Sequence, residues 1–232
     1  MQLKMTDFLE KLILLILPIT FQQLMLALVG ASDALMLGML SQNVLYAVSL
    51  ACQITFVENL FLAAMTIGLS MLAAQYWGKN DRVSVEKIFA YVMKITAVVS
   101  FVFFLASLCL PKALMRVFTD EQSLIDDGAV CLRTVSLSFF LSGVSQIHLC
   151  ILKNSSKAVT AGIISSVSVV TNIILNTVFI FGLFGFPKLE IAGAALATVI
   201  AKLIEAVWCV FESSKRSACI LDCGTFCGMI NY

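Results

Sequence analysis

Charge is what this sequence lacks most: Asp, Glu, Lys and Arg supply 12% of its residues, against about 25% in ordinary soluble domains. So few charges cannot cover the water-facing surface of a 232-residue globule, which excludes a soluble enzyme. Proline (3) and glycine (12) are also sparse, which excludes a fibrous or low-complexity chain. A net charge of +1 gives no basic field for nucleic acid. Histidine occurs once, at His148, and reads as a satisfied interior residue rather than a base. HExxH, GxSxG and CxxC are all absent, so catalytic chemistry has no familiar framework here and no enzyme is expected. What the chain does have is apolar: 60% of it is hydrophobic, with a mean hydropathy of +1.00.

The charge-free stretches set the architecture. No charged residue lies between Lys11 and Asp33, Asp33 and Glu58, Glu58 and Lys79, Lys94 and Lys112, Arg133 and Lys153, or Lys157 and Lys188. A helix needs about 20 mostly apolar residues to cross a bilayer. Six spans are expected, near 12–39, 45–76, 88–110, 132–152, 159–184 and 191–211. The runs are too long and unbroken for barrel strands, so the predicted fold class is all-α and integral to the membrane. Residues 1–211 form the membrane unit, and residues 212–232 read as a disordered cytoplasmic tail.

With both termini cytoplasmic, the inner loops and tails receive Lys4, Lys11, Lys79, Arg82, Lys87, Lys153, Lys157, Lys215 and Arg216. The outer side receives Lys112, Arg116, Arg133 and Lys188, so the count is nine against four. The positive-inside rule then gives N-in and C-in. The first span has a basic start like a signal peptide, but its long apolar run and the five spans that follow argue against cleavage. Pro111–Cys131 is the longest connection, an interfacial helix or an outer loop, and its acidic residues read as solvated surface. The eight cysteines do not form a disulfide framework: Cys52, Cys109, Cys150 and Cys209 fall inside spans and Cys131 at a span edge. Cys219, Cys223 and Cys227 share a spacing of four in the tail, without the fourth ligand a metal site needs, and are expected to be reduced thiols.

The informative residues are the polar ones inside the spans, since a charge at mid-membrane costs at least ~2.5–3.5 kcal/mol on insertion scales. Asp33 lies 22 residues after Lys11, about 33 Å along the first helix. Asn172 and Asn176 lie 15 and 19 residues after Lys157, about 23 and 29 Å along the fifth helix. Both helices run outward, so the three residues fall at similar depth, with the asparagines on one helical face. A carboxylate opposite two amide oxygens can accept a hard cation or exchange a proton. The asparagines can equally act as polar glue between helices. Lys202 and Glu205, three apart, can form an ion pair on one face. Glu58, mid-span and without a local partner, is a weaker relay carboxylate, and Lys94 can snorkel to the inner face.

Four segments carry a family resemblance: LPITFQQL at Leu17–Leu24, SDALMLGML at Ser32–Leu40, LAAQYWGKND at Leu72–Asp81, and the block from Thr171 to Glu205. Together with the span count, they resemble the N-terminal half of a MATE (multidrug and toxic compound extrusion) transporter over about residues 8–211. The resemblance implies two facing six-helix lobes with alternating access, in which a Na⁺ or H⁺ gradient drives export of bulky, cationic or aromatic drugs. It implies a multi-pass protein of the bacterial cytoplasmic membrane, surrounded by lipid, with no cofactor beyond the coupling ion. Carried over by position, Asp33 is the cation-linked carboxylate of the first helix, Asn172 and Asn176 are the polar pair of the fifth, and Pro18 is a helix bend. Some relatives have an aspartate at the position of Asn176, which leaves Na⁺ and H⁺ coupling both open.

The departures are as specific. The family has twelve spans, and here six are read, so a truncated or frameshifted frame is expected, or a homodimer that supplies the second lobe. The loop LKNSSKAVTA has Ser156 and Ala161 where the family usually has glycine and proline. A lipid-linked saccharide flippase would need arginines lining a cavity, yet Arg82, Arg116, Arg133 and Arg216 all lie outside the span centres. A non-transporting membrane subunit is the remaining alternative.

Overall fold

The computed structural model describes residues 42–79, 81–154, 158–181 and 190–217, with scattered positions between 13 and 38 that are all helical. Six helices are complete enough to name: α1 (Gln42–Gly78), α2 (Arg82–Cys109), α3 (Pro111–Arg116), α4 (Gln122–Asn154), α5 (Ala158–Phe181) and α6 (Glu190–Ser217). All but α3 are long and apolar enough to cross a membrane, giving five such helices among the described residues. They are the second to sixth spans read from the charge gaps. The first span falls on the scattered positions.

Helix ends differ from the hydropathy reading in one consistent direction. α4 starts at Gln122, ten residues before the expected 132, so the long Pro111–Cys131 connection is in fact α3 followed by the first turns of α4. α2 starts at Arg82 rather than 88, which puts Lys94 twelve residues into the helix, about 18 Å along it. α6 continues to Ser217, correcting the disordered tail for 212–217; residues 218–232, with their three cysteines, lie outside the described residues. The physical reason is common to all three. A hydropathy reading stops at the first charge, whereas a helix runs on into the headgroup region where charges are welcome.

Local chemistry explains the breaks. Asp81 caps α2: its carboxylate accepts the Ser84 backbone N–H at 3.1 Å and the Ser84 hydroxyl at 2.6 Å. Those bonds, the hydroxyl first, hold the Asp81 carboxyl below its ordinary range. The aspartate that closes the LAAQYWGKND segment is thus a helix start. Pro111 occupies the first turn of α3, where a missing N–H costs nothing. An exposed ion pair, Lys112 to Asp126 at 2.7 Å, ties α3 to α4.

α4 is the central element and packs on α1, α2, α3 and α6, while α5 packs mainly on α6. Its buried face is rich in small residues, among them Gly128, Ser136, Ser138, Gly143 and Ser145. Lipid is as apolar as a leucine side chain, so helices in a bilayer associate through close backbone approach and polar contacts. Three of these serines satisfy themselves within α4, donating to carbonyls three residues back at 2.7, 2.7 and 3.2 Å. Two apolar clusters flank the middle of the bundle. One holds Ile54, Met115, Leu132, Phe139 and Ile191; the other holds Leu69, Phe89, Met93 and Ile147. Outward faces stay apolar, as with Val98, Val207 and Phe211, which suits contact with lipid tails.

Close approach is tightest at Gly143, where a Cβ would stand 2.2 Å from Ser100 Oγ and 2.8 Å from Ser100 Cβ. The Ser100 Cβ cannot move without its backbone, so Gly143→Ala should destabilise the bundle by about 1–3 kcal/mol. At Gly128 the obstruction is the flexible end of Met115, and Gly128→Ala should cost less. Thermal denaturation in mild detergent checks this ranking, and Ser100→Gly should restore part of the Gly143→Ala loss.

Candidate functional site

Two of the expected site residues meet inside the bundle. Asn172 is 6% exposed and Asn176 is fully buried, one turn apart on α5 and turned toward α6. Asn176 Nδ2 donates to Asn172 Oδ1 at 3.2 Å, and Asn172 Nδ2 donates to Thr198 Oγ1 of α6 at 3.4 Å. Thr198 in turn donates to the Ala194 carbonyl at 3.0 Å. One turn toward the N-terminus of α5, Ser168 Oγ donates to the Ala201 carbonyl at 2.9 Å. The result is a polar seam between α5 and α6 built from amide, hydroxyl and carbonyl groups. Such groups offer oxygen dipoles to a hard cation but do not titrate.

Asp33 and Pro18 lie outside the described residues. Thr198 carries no signal of its own in the sequence. A threonine in a helix ordinarily bonds to its own carbonyl four residues back, as this one does, and its role as acceptor for Asn172 arises only when α5 and α6 pack.

The charged candidates occupy α1 and α6. Lys202 Nζ and Glu205 Oε2 are 2.9 Å apart, the ion pair that their spacing of three predicts. Glu205 is 3% exposed. Glu58 is 1% exposed, on α1 between Ile54 and Leu69 of the two apolar clusters. Ser100 of α2 stands beside its carboxylate, and among the described residues no ion pair joins Glu58 to Lys202, which is held by Glu205. Among the described residues neither Glu58 Oε1 nor Ser100 Oγ has a hydrogen bond of standard geometry, and the Thr96 hydroxyl is likewise unbonded.

His148 is an interior residue, as expected. Its Nδ1 lies 2.9 Å from the Val144 carbonyl and its ring meets Phe89 edge-on, with centroids 5.5 Å apart. At the C-terminal end of α4, Ser70 Oγ donates to Asn154 Oδ1 at 2.8 Å, joining α1 to α4. Arg116 and Arg133 are both exposed, so neither described arginine side chain lines a buried cavity.

The sequence model of the MatE family matches residues 18–178. The probable multidrug resistance protein NorM of Thermotoga maritima is 26% identical over 208 residues, covering 89% of this chain and 45% of its own length. The uncharacterized transporter YisQ of Bacillus subtilis is 28% identical, covering 86% of this chain and 44% of its own. The chain therefore spans somewhat under half the length of these relatives. Among solved structures, a MOP superfamily transporter from Pyrococcus furiosus superposes with a TM-score of 0.76 at 17% identity, over 84% of this chain and 42% of the other. A multidrug resistance MATE family transporter in an outward-facing conformation superposes with the same TM-score of 0.76 at 17% identity, over 84% and 42%. At that identity the likeness is one of fold, and it is the fold expected from the residues. A helical membrane unit with these sequence relatives is a multi-pass member of a transporter family, and the chain belongs to the MatE family.

Proposed function

We propose that the chain is one lobe of a cation-coupled multidrug exporter of the cytoplasmic membrane, working by alternating access with a facing lobe. The observation that carries this reading is the buried Asn172–Asn176 pair, bonded to Thr198 across the α5–α6 interface, in a chain of the MatE family. Asp33 supplies the ionised carboxylate that the amides cannot, and the asparagine and threonine oxygens complete the shell. The coupling ion is Na⁺ or H⁺. Cationic or aromatic drugs are the cargo, a reading that the multidrug resistance names of the relatives support. The facing lobe is a second copy or a partner half. Two such lobes, each with N-in and C-in orientation, are parallel repeats about an axis along the membrane normal.

The two described arginine side chains are exposed, which favours this reading over a lipid-linked saccharide flippase. Pyrophosphate recognition calls for bidentate guanidinium groups inside the cavity.

Ethidium accumulation in efflux-deficient cells tests the site. Expression of the chain should lower accumulation, and Asp33→Asn should abolish the effect. Asn172→Ala removes one oxygen donor to a charge, about 1.5–3 kcal/mol, and should weaken cation affinity by roughly 10–100-fold. Full efflux in Asp33→Asn would remove the central claim. Orientation is tested separately, with epitope tags inserted at Asp120 or Asn80. The Asp120 tag should be reached by antibody on intact cells and the Asn80 tag only after permeabilisation; the opposite pattern would invert the topology.

A further inference from the structure

Two hydrogen bonds cross the α5–α6 seam, and they differ in what they hold. Ser168 Oγ donates to the Ala201 carbonyl at 2.9 Å, and Asn172 Nδ2 donates to Thr198 Oγ1 at 3.4 Å. We propose that Ser168 is a positioning residue for the cation site: its bond to the Ala201 carbonyl sets the register of α5 on α6 and so places the Thr198 hydroxyl against Asn172. Its role in transport rests on the exporter reading; its role in the seam rests on the helix contacts alone.

Ser168 departs from the other hydroxyls of the bundle. Ser136, Ser138, Ser145, Thr177 and Thr198 each donate to a carbonyl three or four residues back in their own helix, the ordinary solution for a hydroxyl in a helix. Ser168 is 4% exposed and crosses instead to a backbone carbonyl 33 residues away. That carbonyl is part of the frame of α6, where it also takes the N–H four residues further on. A bond to it therefore holds the whole helix rather than one movable side chain.

Little else in the seam can fix a register. α6 buries Ala197 and Ala201 on either side of Thr198 along the chain. Such small side chains let helices approach closely but interlock poorly, and in an apolar helix interface a single polar contact can specify the register. The spacings fit antiparallel helices: four residues on along α5, from Ser168 to Asn172, match three residues back along α6, from Ala201 to Thr198. A slip of one residue moves α6 by about 1.5 Å. The Asn172–Thr198 contact at 3.4 Å is already beyond the usual N–H···O range of about 2.7–3.2 Å, so it depends on the register and cannot set it. The Ser168 bond lies within the usual hydroxyl range of about 2.5–3.0 Å.

With the register kept, the Asn172 amide is held in one orientation, Nδ2 to Thr198 and Oδ1 to Asn176. Orientation is what a cation site needs from an amide, since only its oxygen is an acceptor. Without the Ser168 bond the amide loses its anchor on α6 and is free to turn.

Hydrogen exchange of side-chain amides, followed by NMR on the full chain in lipid nanodiscs, tests the positioning without relying on transport. Ser168→Ala should speed exchange of the Asn172 Nδ2 protons about 3–10-fold, the size of one interhelical hydrogen bond in a membrane. The Asn154 amide, which bonds at the α1–α4 interface, should keep its rate. Ser168→Thr retains the hydroxyl and should exchange as the wild type does. Thr198→Val should also speed exchange at Asn172, and Ser168→Ala added to it should have no further effect, because the contact that Ser168 positions is already gone. Unchanged exchange at Asn172 in Ser168→Ala, equal acceleration at Asn172 and Asn154, or additive effects of the two substitutions overturns the proposal. Should Ser168→Ala fail to fold, Ser168→Cys, a weaker donor, decides by the same criteria. In efflux-deficient cells expressing the chain, Ser168→Ala should raise the Na⁺ or H⁺ concentration for half-maximal ethidium efflux by a similar factor at an unchanged maximal rate. A lower maximal rate with an unchanged half-maximal concentration overturns the transport role. If the exchange behaves as expected but the wild-type chain gives no efflux, the exporter reading fails while the positioning of Asn172 stands.

Discussion

A polar atom that these helices carry into the bilayer can be satisfied only by another atom of the bundle, because hydrocarbon offers no water to do it. That constraint selects which faces turn inward. The serines of α4 answer it within their own helix, so α4 can be both central and closely packed. Asn172 and Asn176 reach to each other and across to Thr198. Lys202 and Glu205 answer it as a pair. At the C-terminal end of α4, Ser70 and Asn154 do the same between α1 and α4. Apolar packing between helices has little net driving force in lipid, so these few polar contacts and the close approach at Gly143 carry much of the specificity of the arrangement.

What was legible in the residues follows from how far each signal reaches along the chain. Gaps between charges are local, and they located the five long described helices correctly. Their ends were not legible, because Gln122, Asp126 and Asp127 read as loop chemistry while sitting in the first turns of α4. Spacings of three and four are also local, so the Lys202–Glu205 ion pair and the Asn172–Asn176 bond could both be anticipated. Contacts between helices could not. Thr198 is 26 residues from Asn172, and Ser100 stands beside Glu58 from another helix. No periodicity encodes such meetings; only the packed bundle does. Asp81 shows the converse, a residue read as part of a family motif whose visible work is capping α2.

The two polar clusters differ in kind, and α6 belongs to both. The α5–α6 seam is built of neutral dipoles, which can gain or lose a cation without being left with a buried charge of their own. The Lys202–Glu205 pair holds formal charges, which must be balanced at every step. Thr198, Lys202 and Glu205 follow one another at spacings of four and three, so they share one face of α6. The span from the first to the last is about 10 Å of helix. A rotation or tilt of α6 as a rigid rod therefore cannot disturb the Thr198 contact to Asn172 without also moving Lys202 relative to Glu58. Coupling between the clusters needs no relay of intermediate side chains, only a helix stiff enough to keep its own face intact. Packed on both α4 and α5, α6 has only a small set of well-packed positions, and discrete alternatives of this kind are what alternating access requires.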